Sequence, residues 1–344
     1  RLRTWPPGLR LDGRCFCRCC HGMRAQKLLP DGFDFLKSLQ LSPWTVARVV
    51  LLTVGLCLVS RSGSAATPVA RSEQPVRDDV FLQEVGRKVS APESLSAVAI
   101  YENTVYVGSD RGLHRLEGDR LVAVNAVQDA VKRLVAIKGA LWVLTSQGLW
   151  RYATNSWMKI SAEPVADVCE HAGEVVVAKG SRLWRWRGSA LEPLTDAQSP
   201  FAITRAVSHN ETLYVHGPGR LTIFDGERIG ARNVWNWSAE QVWDWGELPS
   251  RNTRDVLSLG SRLYVATDRG LGVLRGMALT QLRGADGLCY EDTTCLARGF
   301  GGDLWIGTSR GAIRHTGGEF HYFAGQRWLP DDHVNAIATG ERTV

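Results

Sequence analysis

A repeated sequence pattern between about residue 95 and residue 344 restricts the fold more than any other feature of the chain. Each repeat has an apolar strand with an aromatic residue, a polar turn usually closed by glycine, and a second apolar strand. The six segments are VYVGSDRGLHRL (105–116), LWVLTSQGLWRY (141–152), VVVAKGSRLWRW (175–186), LYVHGPGRLTIF (213–224), LYVATDRGLGVL (263–274) and LWIGTSRGAIRH (304–315). Each segment predicts a β-hairpin, because alternating apolar residues suit half-buried strands and glycine supplies the positive φ of a tight turn.

Another predicted strand precedes each hairpin by about ten residues. Its equivalent positions fall at 98, 134, 168, 206, 256, 294 and 334, which gives intervals of 36, 34, 38, 50, 38 and 40 residues. A period near 40 with four short strands is typical of a β-propeller blade. The sequence therefore predicts an all-β propeller over residues 95–344, with six complete four-stranded blades and the start of a seventh, truncated at the C-terminus. Small residues such as Ala97 and Ala99 predict that the preceding strand lines the central axis.

These repeats resemble the two-component regulator propeller repeat, whose core is an apolar-Trp-Ile-Gly-Thr strand followed by x-x-Gly-Leu. The segment LPDDHVNAIA (329–338) resembles that family's connector between blades. The resemblance implies an extracytoplasmic ligand-sensing domain, often fused to a membrane span and a histidine kinase, with carbohydrates among the ligands sensed. Two segments depart from the pattern, because Arg182 and Arg220 stand where the family has glycine.

The first 94 residues predict a leader rather than part of the propeller. The first methionine is Met23, so residues 1–22 are an upstream extension or an artefact. An unbroken apolar run at 49–59 is too short to span a bilayer and suits a signal peptide, with cleavage before Thr67. Residues 23–66 therefore predict a signal peptide, or alternatively a signal anchor, and 67–94 a non-propeller linker. The expected location is periplasmic or extracellular.

The net charge of +6 belongs to this leader. Residues 1–66 hold ten basic and three acidic residues, which leaves 31 and 32 in the rest of the chain. A propeller region near neutrality excludes bulk electrostatic attraction to nucleic acid. A membrane contact is expected only through an uncleaved leader or a downstream region.

Four tryptophans in the longest interval between repeats predict a binding surface. They form two Trp-x-Trp pairs, each placing both rings on one face of a strand. Exposed indoles stack on sugar rings, so a hairpin between the pairs would assemble a carbohydrate platform. The alternative is packing between blades. The four residues are Trp235, Trp237, Trp243 and Trp245.

Three arginines occupy the same turn position in different repeats: Arg111, Arg269 and Arg310. If that turn faces the channel mouth, their guanidinium groups predict a site for an anionic ligand such as a sulfated or uronic sugar. The alternative is a polar turn that tolerates arginine around a ring too wide for convergence.

Other chemistry-bearing residues give weaker patterns. Asp286, Glu291 and Asp292 lie on one predicted loop, where a hard cation or only solvent would meet them. Cys289 and Cys295 could form a short-loop disulfide in an oxidising compartment, the alternative being free thiols. His321 has no catalytic partner nearby in sequence. No cofactor, metal site or catalytic residue is predicted, since no known catalytic motif occurs.

The leading functional hypothesis is an exported, ligand-binding sensor or interaction domain, with a small molecule, a glycan or a protein as partner. One alternative is a propeller lyase or hydrolase acting on polysaccharide. A second is a scaffold for protein–protein interaction.

Overall fold

A computed structural model describes residues 87–91, 93–236, 246–326, 328–340 and 344. These residues form six four-stranded antiparallel sheets, and the sheets are the blades of a β-propeller. Each blade is a meander in chain order, so the first strand is innermost and the fourth outermost. The predicted fold class is therefore confirmed. The leader and most of the linker lie outside the described residues.

The strand bounds follow the repeat closely. Blades one to three comprise β1 Leu95–Tyr101, β2 Thr104–Ser109, β3 Gly112–Glu117, β4 Arg120–Ala123, β5 Val131–Ile137, β6 Ala140–Thr145, β7 Gly148–Ala153, β8 Ser156–Ser161, β9 Asp167–His171, β10 Glu174–Lys179, β11 Arg182–Trp186 and β12 Leu191–Pro193. Blades four to six comprise β13 Arg205–His209, β14 Thr212–Gly217, β15 Arg220–Phe224, β16 Ile229–Asn236, β17 Thr253–Leu259, β18 Arg262–Thr267, β19 Gly270–Arg275, β20 Ala278–Leu282, β21 Thr293–Arg298, β22 Leu304–Thr308, β23 Gly311–Thr316 and β24 Glu319–Phe323. Short 3-10 helices lie at Gly284–Asp286 and Phe300–Gly302.

The turn between the second and third strands uses one hydrogen-bond pattern in blades one, two, five and six. In blade two, the Thr145 hydroxyl donates to the Gly148 carbonyl and accepts from the Gln147 N–H, at 3.1 and 3.2 Å. Ser109, Thr267 and Thr308 repeat both bonds in the other three blades. The predicted positive φ is confirmed at all four turn glycines, at 127°, 142°, 115° and 129° for Gly112, Gly148, Gly270 and Gly311.

The turn between the second and third strands has a different geometry in blades three and four. Arg182 and Arg220 begin their third strands, so the positive φ moves into the turn itself, to Gly180 and Gly219. The departure from the repeat therefore changes the turn geometry without changing the strand order.

The hydrophobic core lies between blades rather than at one centre. One cluster joins blades one and two through Leu113, Val131 and Leu141. Similar clusters fill the next four interfaces, and the inner strands of consecutive blades contact one another. Blades two to five thus bury both faces against their neighbours, as the alternating apolar residues predict.

Bulges set the register of several inner strands. In blade six, the pairing shifts between Thr293 and Cys295. Leu296 therefore pairs with Ile306 as Val256 pairs with Val265 in blade five. The predicted equivalence of position 294 is wrong by two residues, because five residues connect β21 to β22 whereas two connect β17 to β18.

Residues 333–340 pack where the start of a seventh blade is predicted. Val334 and Ile337 cover the last blade's core, and the Thr294 hydroxyl donates to the Val334 carbonyl. The Asn335 side chain donates to the Leu95 carbonyl of blade one at 2.8 Å. This segment contacts both blade six and blade one, although it is not a regular strand. Within the described residues, no helix is long and apolar enough to cross a membrane.

Candidate functional site

One position of the inner strand carries charge in four successive blades. Its pairing to the second strand defines it, and in blade order it holds Ala97, Arg133, Asp167, Arg205, Asp255 and Cys295. The charges of blades two to five therefore alternate in sign around the axis. We call Arg133, Asp167, Arg205 and Asp255 the axial ring.

Ion pairs join the axial ring around and across the channel. The Arg133 Nε atom lies 3.0 Å from Asp167 Oδ1, and Arg133 Nη1 lies 3.2 Å from Asp255 Oδ1. Arg205 Nε approaches the same Asp255 oxygen at 3.3 Å. Because Arg133 belongs to blade two and Asp255 to blade five, their contact crosses the central channel.

The two carboxylates of the ring are covered. Their side chains are 3% exposed for Asp167 and 9% for Asp255. Asp255 also accepts the N–H groups of Val256 and Leu296, both at 3.0 Å, and Asp167 accepts that of Ala206 at 3.1 Å. Burial alone would raise the pKa of Asp255, but Arg133, Arg205 and the Leu296 N–H outweigh it and hold the pKa below its ordinary value.

The two guanidinium groups are more open. Arg133 keeps 29% of its side chain exposed and Arg205 keeps 24%. Arg205 also donates from Nη1 to the Thr204 carbonyl. Among the described residues, neither Nη2 group has a protein partner, and neither is fully buried. The carboxylates of the ring are thus more buried than its arginine side chains.

The cysteines near this ring are protonated thiols. Burial raises the pKa of Cys295 to about 12, with a further contribution from Asp255. Burial likewise raises the pKa of Cys169, which lies two residues after Asp167 on β9. No disulfide joins Cys289 to Cys295 in the described region.

The predicted tryptophan surface is only partly within the described residues. Trp235 lies on β16, is 3% exposed and packs in the core between blades four and five. For the Trp235 indole, the structure therefore matches the alternative of packing between blades. Trp237, Trp243 and Trp245 lie outside the described residues, so a binding surface formed by them stays a prediction.

The three turn arginines lie at the same end of the blades as the axial ring, because the second strand ends where the first begins. Their turns join the second and third strands, which places them farther from the axis than the ring. Arg111 pairs with Glu93 at 3.3 Å, and Arg310 lies over the Tyr290 ring at 5.6 Å. Arg269 occupies the equivalent turn of blade five. An anion site shared by these arginines stays a prediction.

The acidic side chains of the loop between blades five and six already have partners in the structure. Asp286 accepts the Arg283 N–H at 2.9 Å, and Glu291 accepts the Gly284 N–H at 2.8 Å. Asp292 pairs with Arg254 at 2.8 Å. His321 is exposed, 3.8 Å from Glu319. Among the described residues, no three His, Cys, Asp or Glu side chains are grouped to hold a metal ion.

A polar cleft of about 650 Å³ lies at the opposite end of the blades. Its wall includes the turn residues Glu211 and Asp225, with Arg228 beside them. Asp225 already accepts the N–H groups of Glu227 and Arg228, at 3.0 and 2.8 Å. The cleft mixes exposed charges of both signs, whereas the axial ring presents one kind of group in a fixed arrangement.

Three histidines link neighbouring blades. His171 contacts Ser208, and His209 contacts Ser258, through their Nδ1 atoms at 3.0 and 2.9 Å. His216 bonds to Thr204 at 2.7 Å and to Thr253 of blade five. Burial lowers the pKa of all three, and that of His216 reaches about 4.

These histidines predict a loss of stability in acid. Above its unfolded pKa of 6.5, His216 is neutral in both states, and below it the unfolded chain binds a proton that the folded chain excludes. We expect the free energy of unfolding to fall by about 3 kcal/mol through this residue as pH drops from 7 to 4. Urea unfolding of wild type and His216→Gln at both pH values measures the difference.

The matched control is the exposed His321→Gln, which should keep the wild-type pH dependence. An unchanged pH dependence in His216→Gln would show that this histidine is not the source.

Sequence reasoning missed the axial ring, although a signal was present. Each charged residue stands at or near the start of an inner strand, and the sign alternates from repeat to repeat. A comparison of strand starts, rather than of hairpins, exposes this alternation.

Comparisons with known proteins bear on the fold. The sequence matches no protein-family profile and no curated protein. The structure is similar to extracellular domains assigned to two hybrid two-component systems of B. thetaiotaomicron. For BT4673 the TM-score is 0.56 at 13% identity, covering 73% of this chain and 36% of the other. For BT3049 it is 0.54 at 12% identity, covering 71% and 37%.

The structure is also similar to a catalytically inactive variant of virginiamycin B lyase from Staphylococcus aureus, solved with quinupristin. Its TM-score is 0.50 at 8% identity, covering 69% of this chain and 86% of the lyase. Identities this low show a shared propeller fold alone. This chain spans little more than a third of the two-component-system domains that it matches.

Proposed function

We propose that this chain is an exported β-propeller that binds a ligand at the axial ring and acts as a sensor or interaction domain. The observation that carries the proposal is the pair of partly exposed arginine side chains held in place by covered carboxylates. A small number of fixed polar groups is typical of a ligand site. A carbohydrate is the expected ligand class, as the repeat resemblance implies.

The chemistry of the ring favours binding over turnover. Its carboxylates are ion-paired and accept backbone N–H groups, so they are poorly placed to accept a proton from a substrate. The raised pKa values of Cys169 and Cys295 leave their thiols protonated and weakly nucleophilic. The polysaccharide lyase or hydrolase hypothesis draws no specific support from these groups.

Export is supported by two separate features. The apolar run at 49–59 suits a signal peptide. Two of the similar structures are extracellular domains. We therefore place the propeller in the periplasm or outside the cell, where it would meet extracellular glycans or a protein partner.

A glycan array with the full chain tests the proposal. We expect wild type to bind at least one neutral or acidic glycan, and Arg205→Gln to lose at least tenfold in affinity for it because a ring donor is removed. The matched control is Arg120→Gln, which removes an exposed arginine from β4 and should bind as wild type does. Equal binding by all three proteins would contradict a site at the ring, and no binding by wild type would exclude the glycan hypothesis.

A further inference from the structure

We infer that the ligand of the axial ring presents a carboxylate, which Arg133 and Arg205 bind together at the inner-strand starts. This inference rests on the proposed function and narrows its ligand class.

The two guanidinium groups converge on one point. Arg133 Nη1 and Arg205 Nε both contact Asp255 Oδ1, at 3.2 and 3.3 Å. These two nitrogens therefore lie no more than 6.5 Å apart, the sum of the two distances. Two arginines so close together can both donate to one anionic group.

Hydrogen-bonding groups of both kinds are left over in the ring: the buried Arg133 Nε and the buried Asp167 Oδ1 lie 3.0 Å apart but make no hydrogen bond. The carboxylate oxygens of Asp255 are taken by two N–H groups and two guanidiniums. Asp167 is held by Ala206 and Arg133. Each exposed guanidinium, in contrast, retains an Nη2 group with two N–H donors and no partner among the described residues. A ligand that reaches these Nη2 groups would supply acceptors to them.

The local potential agrees with an anionic acceptor. After burial, the positive charge of Arg205 is the next cause that lowers the pKa of His216, and it exceeds the opposing effect of Asp255. At the His216 ring, the positive charge of Arg205 therefore acts more strongly than the negative charge of Asp255. A planar carboxylate also matches the planar guanidinium fork better than a neutral hydroxyl does.

A purely structural role, in which the ion pairs only hold the blades together, explains part of this arrangement. Ion pairs between blades account for the contacts of Arg133, Asp167 and Asp255 with one another. They do not account for Nη2 groups that are not fully buried and that lack a partner among the described residues, which a carboxylate-bearing ligand would use.

The test compares three ligands on the full wild-type chain by isothermal titration calorimetry: D-galacturonate, its methyl ester and D-galactose 6-sulfate. We expect the free acid to bind at least tenfold more tightly than the ester, which keeps the sugar and removes only the charge. Stronger binding of the acid than of the sulfate supports a carboxylate site. Preference for the sulfate would overturn the carboxylate assignment, and equal binding of acid and ester would overturn anion recognition.

A variant pair locates the site. Arg205→Lys keeps the charge but loses the planar fork, so we expect at least a tenfold loss of galacturonate affinity, whereas Arg120→Lys should match wild type. Thermal unfolding checks that both variants fold. If one of them does not fold, the comparison of the three ligands on the wild-type chain still tests the inference. Full galacturonate affinity in a folded Arg205→Lys would contradict the inference. If only neutral glycans bind, the proposed function stands and this inference fails, whereas both fail if no glycan binds.

Discussion

Asp255→Ala is expected to lower the free energy of unfolding by about 3–5 kcal/mol, because removing one partner of a buried ion pair leaves the other charges uncompensated. The substitution removes the carboxylate that Arg133 and Arg205 contact. It also removes the acceptor of two backbone N–H groups, those of Val256 and Leu296. Urea unfolding of wild type and variant at pH 7 measures the difference.

Asp110→Ala is the matched control for this change. Asp110 is exposed in the hairpin turn of blade one, so its loss should alter stability by no more than about 0.5 kcal/mol. Asp255→Asn retains acceptor and shape while removing charge, and should fall between the other two variants. A loss below about 1 kcal/mol in Asp255→Ala would mean that the ring contributes little to stability.

Gly148→Ala is expected to cost at least about 3 kcal/mol, since backbone strain and a steric clash act together. The φ of Gly148 is 142°, outside the range that alanine adopts easily. A Cβ atom built there would lie 2.1 Å from the Ser161 carbonyl oxygen, which belongs to the outer strand of the same blade. This clash can be relieved only by a movement of the backbone, not by rotation of a side chain. Thermal and urea unfolding give the measurement.

Gly118→Ala separates the two causes. Gly118 also has a positive φ, at 60°, but no atom lies within 4 Å of its built Cβ. We expect a loss of only about 1 kcal/mol there, the cost of a left-handed residue without a clash. Equal losses at the two glycines would show that close approach of Ser161 is not the main term.

The hairpins could be predicted from sequence because their information is local. The apolar alternation and the turn glycine stand within twelve residues, as in 141–152, and both strand pairing and positive φ follow from them. Equivalence of the inner strands was harder in blade six, since the connection from β21 to β22 is longer than the one from β17 to β18 and no periodicity marks the difference.

The axial ring could not be predicted from local information. Arg133 and Asp255 are separated by 122 residues, and only closure of the blades brings them together. The tryptophans gave a strong local signal, yet Trp235 is in the core, because an indole that packs between blades has the same sequence spacing as one that faces solvent.

The cross-channel contact of Arg133 with Asp255 also bears on how the propeller unfolds. Repeat proteins whose units touch only their neighbours can lose units one at a time. The ring instead couples blades two to five directly: losing blade two would leave Asp167 without its arginine, and losing blade five would leave Arg205 without its carboxylate. Blades one and six, which have Ala97 and Cys295 at the same position, lack this coupling. These ion pairs therefore favour the unfolding of blades two to five as one unit.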